Sequence, residues 1–104
     1  MSIRKKSNAI KQIEKIRKGQ MFFKDLLYAV RTTAEVSQVD LAEMSGTSKA
    51  KICDFEKGRR VPTLEQAAKL AKSLGHSEAV FVAKLIEDQL KEANLKLKIE
   101  IEVA

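Results

Sequence analysis

Residues 37–62, SQVDLAEMSGTSKAKICDFEKGRRVP, constrain the fold more than any other part of this chain. Their pattern predicts two short helices joined by a tight turn and followed by a basic loop. Ser37 is expected to cap the first helix, with Asp40 three residues later completing a capping box. Gly46 is expected at the turn, because glycine adopts a positive φ without steric cost.

The second helix is expected to begin after a cap supplied by Thr47 or Ser48. Ile52 and Phe55 lie three residues apart and give it an apolar stripe. Gly58 is expected just past its end, as a C′ residue. Two helices arranged in this way can place one of them in the major groove of B-DNA while the other lies across it.

Taken together, these motifs resemble the Cro and phage-repressor helix-turn-helix domain, the XRE family. The resemblance runs from about residue 22 to residue 75, and the co-occurrence of several motifs makes it specific. It implies an all-α, lambda-repressor-like five-helix bundle that contains a helix-turn-helix. The matching features are the run SQVDLA, Gly46, the S-x-x-x-I run from Ser48 to Ile52, Glu56-Lys57-Gly58, Pro62 and the helix over residues 63–74.

The same resemblance implies which side chains read DNA bases. Residues 48–57 match the recognition helix of the family. Lys49 can donate to guanine O6 and N7, Asp54 can accept from cytosine N4, and the methyl of Ala50 can contact a thymine methyl. The predicted base-reading residues are Lys49, Ala50, Lys51 and Asp54.

Contacts to the DNA backbone are expected on either side of that helix. Family members commonly bind phosphate at the start of the preceding helix, with a side chain and the helix N-terminus together. The basic loop after the recognition helix is expected to bind further phosphates, with plain solvation as the alternative for each charge. The predicted phosphate-binding residues are Gln38, Ser48, Lys57, Arg59 and Arg60.

Two further features are interpreted as structural. Arg31 and Glu56 match a family ion pair that links the first helix to the end of the recognition helix. Cys53 lies one turn beyond Lys49. A redox switch at Cys53 is the alternative to an inert side chain, and the inert side chain is favoured because nothing beyond nearby lysines marks this thiol as reactive.

The net charge of +6 is concentrated in two places. Residues 1–24 contain eight Lys or Arg and one acidic residue, and residues 45–62 contain five basic and two acidic residues. This distribution favours a polyanionic partner, double-stranded DNA, although a solvated basic tail is the alternative for the N-terminal arm.

Composition also excludes several classes of protein. No run of about 18 apolar residues is present, so no membrane span is expected, and the N-terminus lacks the apolar region of a signal peptide. One cysteine and one histidine leave almost no material for a zinc site or a catalytic Cys/His pair. We therefore expect a cytoplasmic, nucleoid-associated protein that is not an enzyme and has no cofactor.

The predicted organisation has three parts. Residues 1–20 form a basic arm or helix, with an apolar stripe over residues 8–18. Residues 21–76 form the helix-turn-helix domain, including helices over residues 22–33 and 63–74. Residues 77–104 form a last helix, to about residue 93, and a terminal β-strand for dimerisation.

The terminal strand is predicted from the alternation in LKLKIEIEVA. A lone strand cannot satisfy its own backbone groups, so a partner from a second copy is expected. Antiparallel self-pairing centred on Ile99 would set Lys96 opposite Glu102, which predicts a homodimer. The predicted dimerisation residues are Leu95, Leu97, Ile99, Ile101 and Val103.

Two functions from different classes remain open on this sequence. The first is a sequence-specific regulator of transcription, a repressor that binds a palindromic operator as a homodimer. The second is the antitoxin of a toxin–antitoxin pair, which uses the same fold on its own promoter and another surface on a toxin protein. An enzyme is disfavoured, because no base, nucleophile and orienting group come together.

Overall fold

The described part of the chain, residues 21–93 of a computed structural model, consists of five α-helices. The all-α prediction is therefore confirmed for the helix-turn-helix fold. The helices are α1 (Phe23–Thr33), α2 (Gln38–Ser45), α3 (Lys49–Lys57), α4 (Leu64–Ser73) and α5 (Glu78–Glu92).

Short polar side chains begin four of the helices. The Oγ of Ser37 accepts the N–H of Asp40 at 3.0 Å and begins α2. Ser48, rather than Thr47, begins α3 by accepting the N–H of Lys51. A reciprocal capping box forms at the start of α4, between Thr63 and Gln66. Ser77 begins α5 in the same way as Ser37 begins α2.

Glycines end the two helices of the motif. Gly46 has a φ of 71° after α2, and Gly58 has a φ of 74° after α3. At the first of these turns the N–H of Thr47 bonds to the carbonyl of Ala42, and at the second the N–H of Arg59 bonds to the carbonyl of Asp54. Both turns therefore form the left-handed caps that the sequence predicted.

One apolar core holds the five helices together. Helix α5 closes it by packing on α4 and α1, and the rings of Phe23 and Phe81 meet edge to face at 5.7 Å. The buried apolar residues are Phe23, Leu26, Leu27, Leu41, Ala42, Ile52, Phe55, Ala67, Leu70, Ala71, Phe81 and Leu85.

A carboxylate from α5 caps the start of α1. The N–H of Phe23 donates to one carboxylate oxygen of Asp88, 65 residues away in sequence, and the N–H of Phe22 donates to Asp25. The other oxygen of Asp88 is buried and finds no hydrogen-bond partner among residues 21–93. Burial raises the pKa of Asp88, and the hydrogen bond from Phe23 opposes this shift.

The fold prediction was wrong in adding a C-terminal β-strand. The structure shows helices and no strand in residues 21–93, so this part offers no sheet edge for the backbone of a terminal strand. Alternation of apolar and charged residues indicates which side chains would share a face, but it does not supply the second strand. Leu95, Leu97, Ile99, Ile101 and Val103, like the arm predicted over residues 1–20, lie outside the described residues.

Candidate nucleic-acid interface

Helix α3 has one buried face and one exposed face. Ile52 and Phe55 are buried in the core, whereas Lys49 and Ala50 are exposed. Asp54 lies on the same side of the helix, because it follows Ala50 by four residues. Its side chain is half-buried. The structure thus brings these three predicted base-reading residues onto one side of α3, a side that no other helix of residues 21–93 covers. The fourth, Lys51, is half-buried at the edge of this face.

Helix α2 fixes the position of α3 from behind. The two helices pack on each other, and Leu41 and Ala42 of α2 are buried in the core. The turn at Gly46 sets the angle between the helices. Ser48 is exposed at the start of α3, where its Oγ already accepts a backbone N–H.

Arg31 and Glu56 form an ion pair that joins α1 to the end of α3. Two guanidinium nitrogens of Arg31 donate to the two carboxylate oxygens of Glu56, the second at 2.9 Å. Their side chains are only 11% and 4% exposed. Hydrogen bonding to Glu56 raises the pKa of Arg31, so the guanidinium stays charged.

Gln38 is bound to the same ion pair. Its Nε2 donates to Oε1 of Glu56 at 3.0 Å, and Arg31 also donates to the carbonyl of Val36 at 2.9 Å. The predicted phosphate-binding side chain at the start of α2 is therefore half-buried and already hydrogen-bonded. Arg31, Glu56 and Gln38 together tie α1, α2 and α3 into one unit.

Exposed basic residues surround the end of α3: Lys57 is the last residue of the helix, not part of the loop as expected, and Arg59 and Arg60 lie in the loop that follows. The carboxylate of Asp54 lies between the two arginines: Oδ1 is 3.6 Å from Nη1 of Arg59, and Oδ2 is 3.8 Å from Nε of Arg60. The sequence reading did not anticipate this contact, although Asp54 and the arginines were each assigned to DNA.

Lys24 is a further cation at this loop that the sequence reading missed. A Cβ added to Gly58 would lie 3.1 Å from the side chain of Lys24, which places this lysine against the loop. No local signal could have indicated it, because Lys24 belongs to α1 and is 34 positions away from Gly58 in the chain. It extends the positive surface around the end of α3.

Other chemistry has little support in the described residues. Residues 21–93 contain no group of three His, Cys, Asp or Glu side chains placed to hold a metal ion. Across the same range, each helix is too short or too polar to pass through a bilayer. Cys53, on α3, is half-buried and unpaired there.

A comparison with protein families shows which family this chain belongs to. The Helix-turn-helix family model matches residues 27–81, just over half of the chain, from within α1 to the first turn of α5. The chain belongs to the Cro/repressor-like XRE helix-turn-helix family. No curated protein matches it. As an XRE-family protein it is a DNA-binding regulator of transcription, and α2 and α3 are the two helices of its motif.

Proposed function

We propose that this XRE-family protein is a repressor that binds a palindromic operator as a homodimer, with α3 as the recognition helix. The exposed face of α3 is the observation that carries the proposal. Lys49 and Ala50 are exposed while Ile52 and Phe55 hold the helix in the core, so bases can be contacted without unfolding. With this function the protein would act in the cytoplasm, on the nucleoid.

The roles on this face follow from the chemistry of each side chain. Lys49 donates to guanine, Ala50 contacts a thymine methyl, and Asp54 accepts from cytosine once DNA is bound. Lys51, at the edge, takes a base or a phosphate. Phosphates on either side are bound by the N-terminus of α2 near Gln38, by Ser48, and by Lys57 at the end of α3 with Arg59 and Arg60 in the loop after it.

The length of α3 supports a dimer. Its nine residues make a helix about 13 Å long, which spans about four base pairs at 3.4 Å each. Four base pairs recur throughout any genome and do not define an operator. Two copies related by a two-fold axis would read two half-sites, with centres about 34 Å apart or a multiple of that distance.

Selection from a random duplex library tests the proposal. The full-length protein is expected to enrich an inverted repeat in gel-shift selection, and Lys49→Ala is expected to lose preference at one base pair in each half-site, by about 1–3 kcal/mol. Lys72→Ala removes an exposed lysine of α4 and is the matched control. Failure to enrich any sequence at any salt concentration would refute the proposal.

The antitoxin role is the second candidate, and one observation favours it. Phe22 and Val61 are 41% and 59% exposed and line a single cleft of about 270 Å³ beside α5. Exposed apolar side chains of this kind suit a protein partner. A purified chain that forms a stable dimer and binds the operator alone supports the repressor. A monomer that binds the operator only with a second protein supports the antitoxin.

A further inference from the structure

The contacts of Asp54 point to a second role beside base reading. We propose that Asp54 acts as an internal substitute for a DNA phosphate, holding Arg59 and Arg60 in the unbound protein and thereby weakening binding to non-operator DNA. This inference rests on the proposed function, because it concerns how the same interface rejects the wrong sequence.

Both the backbone and the side chains of Arg59 and Arg60 contact Asp54. The N–H groups of Arg59 and Arg60 both donate to the carbonyl of Asp54, at 2.9 and 3.4 Å, in the cap that ends α3. Gly58 makes this cap possible with its φ of 74°. The turn of the loop therefore brings Arg59 and Arg60 close to Asp54, whose carboxylate faces them.

The side chains then form a three-membered charge cluster. The Asp54 side chain is 28% exposed, whereas those of Arg59 and Arg60 are 63% and 54% exposed. The carboxylate is thus the more enclosed member, and the arginines remain accessible to a competing anion. A DNA phosphate is such an anion, and guanidinium groups bind phosphate at least as readily as carboxylate.

This geometry makes the energy of binding depend on sequence. When phosphates take the two arginines, Asp54 loses both partners and lies close to a polyanion. At an operator, a cytosine N4 amino group can donate to the free carboxylate and compensate for the loss. At other sequences the carboxylate meets acceptors such as guanine O6 or thymine O4, and no compensation follows.

The expected size of the effect follows from the exposure of the pairs. Exposed ion pairs shift an equilibrium by about 1.4-fold to 5.4-fold each. Two pairs therefore weaken non-operator binding by roughly 2-fold to 30-fold, an effect that salt reduces. The cluster is too weak to block DNA binding and strong enough to alter discrimination.

Asp54→Asn tests the inference, since it keeps the size of the side chain and removes its charge. In the full-length protein, we expect tighter binding to a scrambled 30-base-pair duplex, by 2-fold to 30-fold, and a smaller ratio of operator to scrambled affinity. Adding Asp54→Asn to an Arg59→Ala/Arg60→Ala background should give a much smaller gain, because the arginines it would release are gone.

Glu43→Gln is the matched control, because it removes an exposed carboxylate from the neighbouring helix α2. An equal gain from Glu43→Gln, or a full gain in the background without the arginines, would overturn the inference. So would an unchanged scrambled affinity in Asp54→Asn. If the unmutated protein selects no operator at all, the proposed function fails. If it selects an operator but Asp54→Asn gives one of the results above, only the inference about Asp54 fails.

Discussion

Arg31 and Glu56 pair through two hydrogen bonds across 25 positions of sequence, and this pair locks α1 onto the end of α3. Removal of one partner leaves a charge in a nearly closed environment. We expect Glu56→Ala to lower the free energy of unfolding by about 3–5 kcal/mol. Urea titration followed by circular dichroism measures this directly.

A surface pair provides the comparison for that prediction. Lys69 and Glu65 lie one turn apart on α4 with nitrogen and oxygen at 3.5 Å, and both side chains are exposed. Glu65→Ala should cost no more than about 0.5 kcal/mol. If Glu56→Ala keeps the original melting temperature but changes the preferred operator, Glu56 belongs to the DNA-reading surface and not to the scaffold.

Thr47 offers a stabilising substitution within the turn. Its hydroxyl is buried and finds no hydrogen-bond partner in the described part of the chain. Thr47→Val keeps the shape and removes the unpaired hydroxyl, so the free energy of unfolding should rise by about 1 kcal/mol. Ser45→Ala is the control, because the Ser45 hydroxyl donates to the carbonyl of Leu41 at 2.7 Å. A loss of stability in Thr47→Val would show that its hydroxyl is bound after all.

Asp88 should make stability depend on pH. Burial raises its pKa in the folded protein above the ordinary value of 3.8, so the folded state holds this proton more firmly than the unfolded state. Its contribution to stability is then present at low pH and is lost as the pH rises through the folded pKa. The stability of the unmutated protein relative to Asp88→Asn should fall as the pH rises from about 3 to 6.

Urea titrations of both proteins across that range measure the difference between them. Subtraction of the Asp88→Asn curve cancels the other titrating groups, which the two proteins share. A relative stability that stays constant, or rises with pH, would mean that the hydrogen bond from Phe23 and the charges of Lys84 and Lys91 together outweigh the effect of burial.

Arg59 and Arg60 should contribute to the salt dependence of DNA binding. If each binds one phosphate, Arg59→Ala and Arg60→Ala should each reduce the slope of log K against log salt by about 0.9. Fluorescence anisotropy with a labelled operator at four or more salt concentrations gives the slope. Lys72→Ala should leave it unchanged, and an unaltered slope in either arginine variant would assign that side chain to solvent.

Local features of the fold were predictable from the sequence. Two kinds of feature depend only on residues within a few positions of each other. They are the helix caps at Ser37, Ser48 and Thr63, and the left-handed turns at Gly46 and Gly58. The predicted box between Ser37 and Asp40 forms only in part, since the carboxylate of Asp40 does not return the bond to the N–H of Ser37.

Contacts that span the chain could not be predicted in the same way. The bond from Phe23 to Asp88 depends on how α5 packs against α1, and no local pattern encodes that arrangement. Asp54 lies near Arg59 and Arg60 in sequence, yet their contact depends on the turn geometry at Gly58. The prediction of a C-terminal strand was wrong for a related reason. A strand needs a second strand to pair with, and the sequence of the first does not show whether that partner exists.

Contacts between α1 and α5 bring the two ends of the described part side by side. The Nζ of Lys91 lies 5.3 Å from the centre of the Phe22 ring, and Asp88 holds the N–H of Phe23. A short linker from residue 93 to residue 21 would therefore permit circular permutation, with new termini at the exposed pair Gly75 and His76. The permuted chain would keep α2 and α3 on one uninterrupted segment, because the new termini lie between α4 and α5.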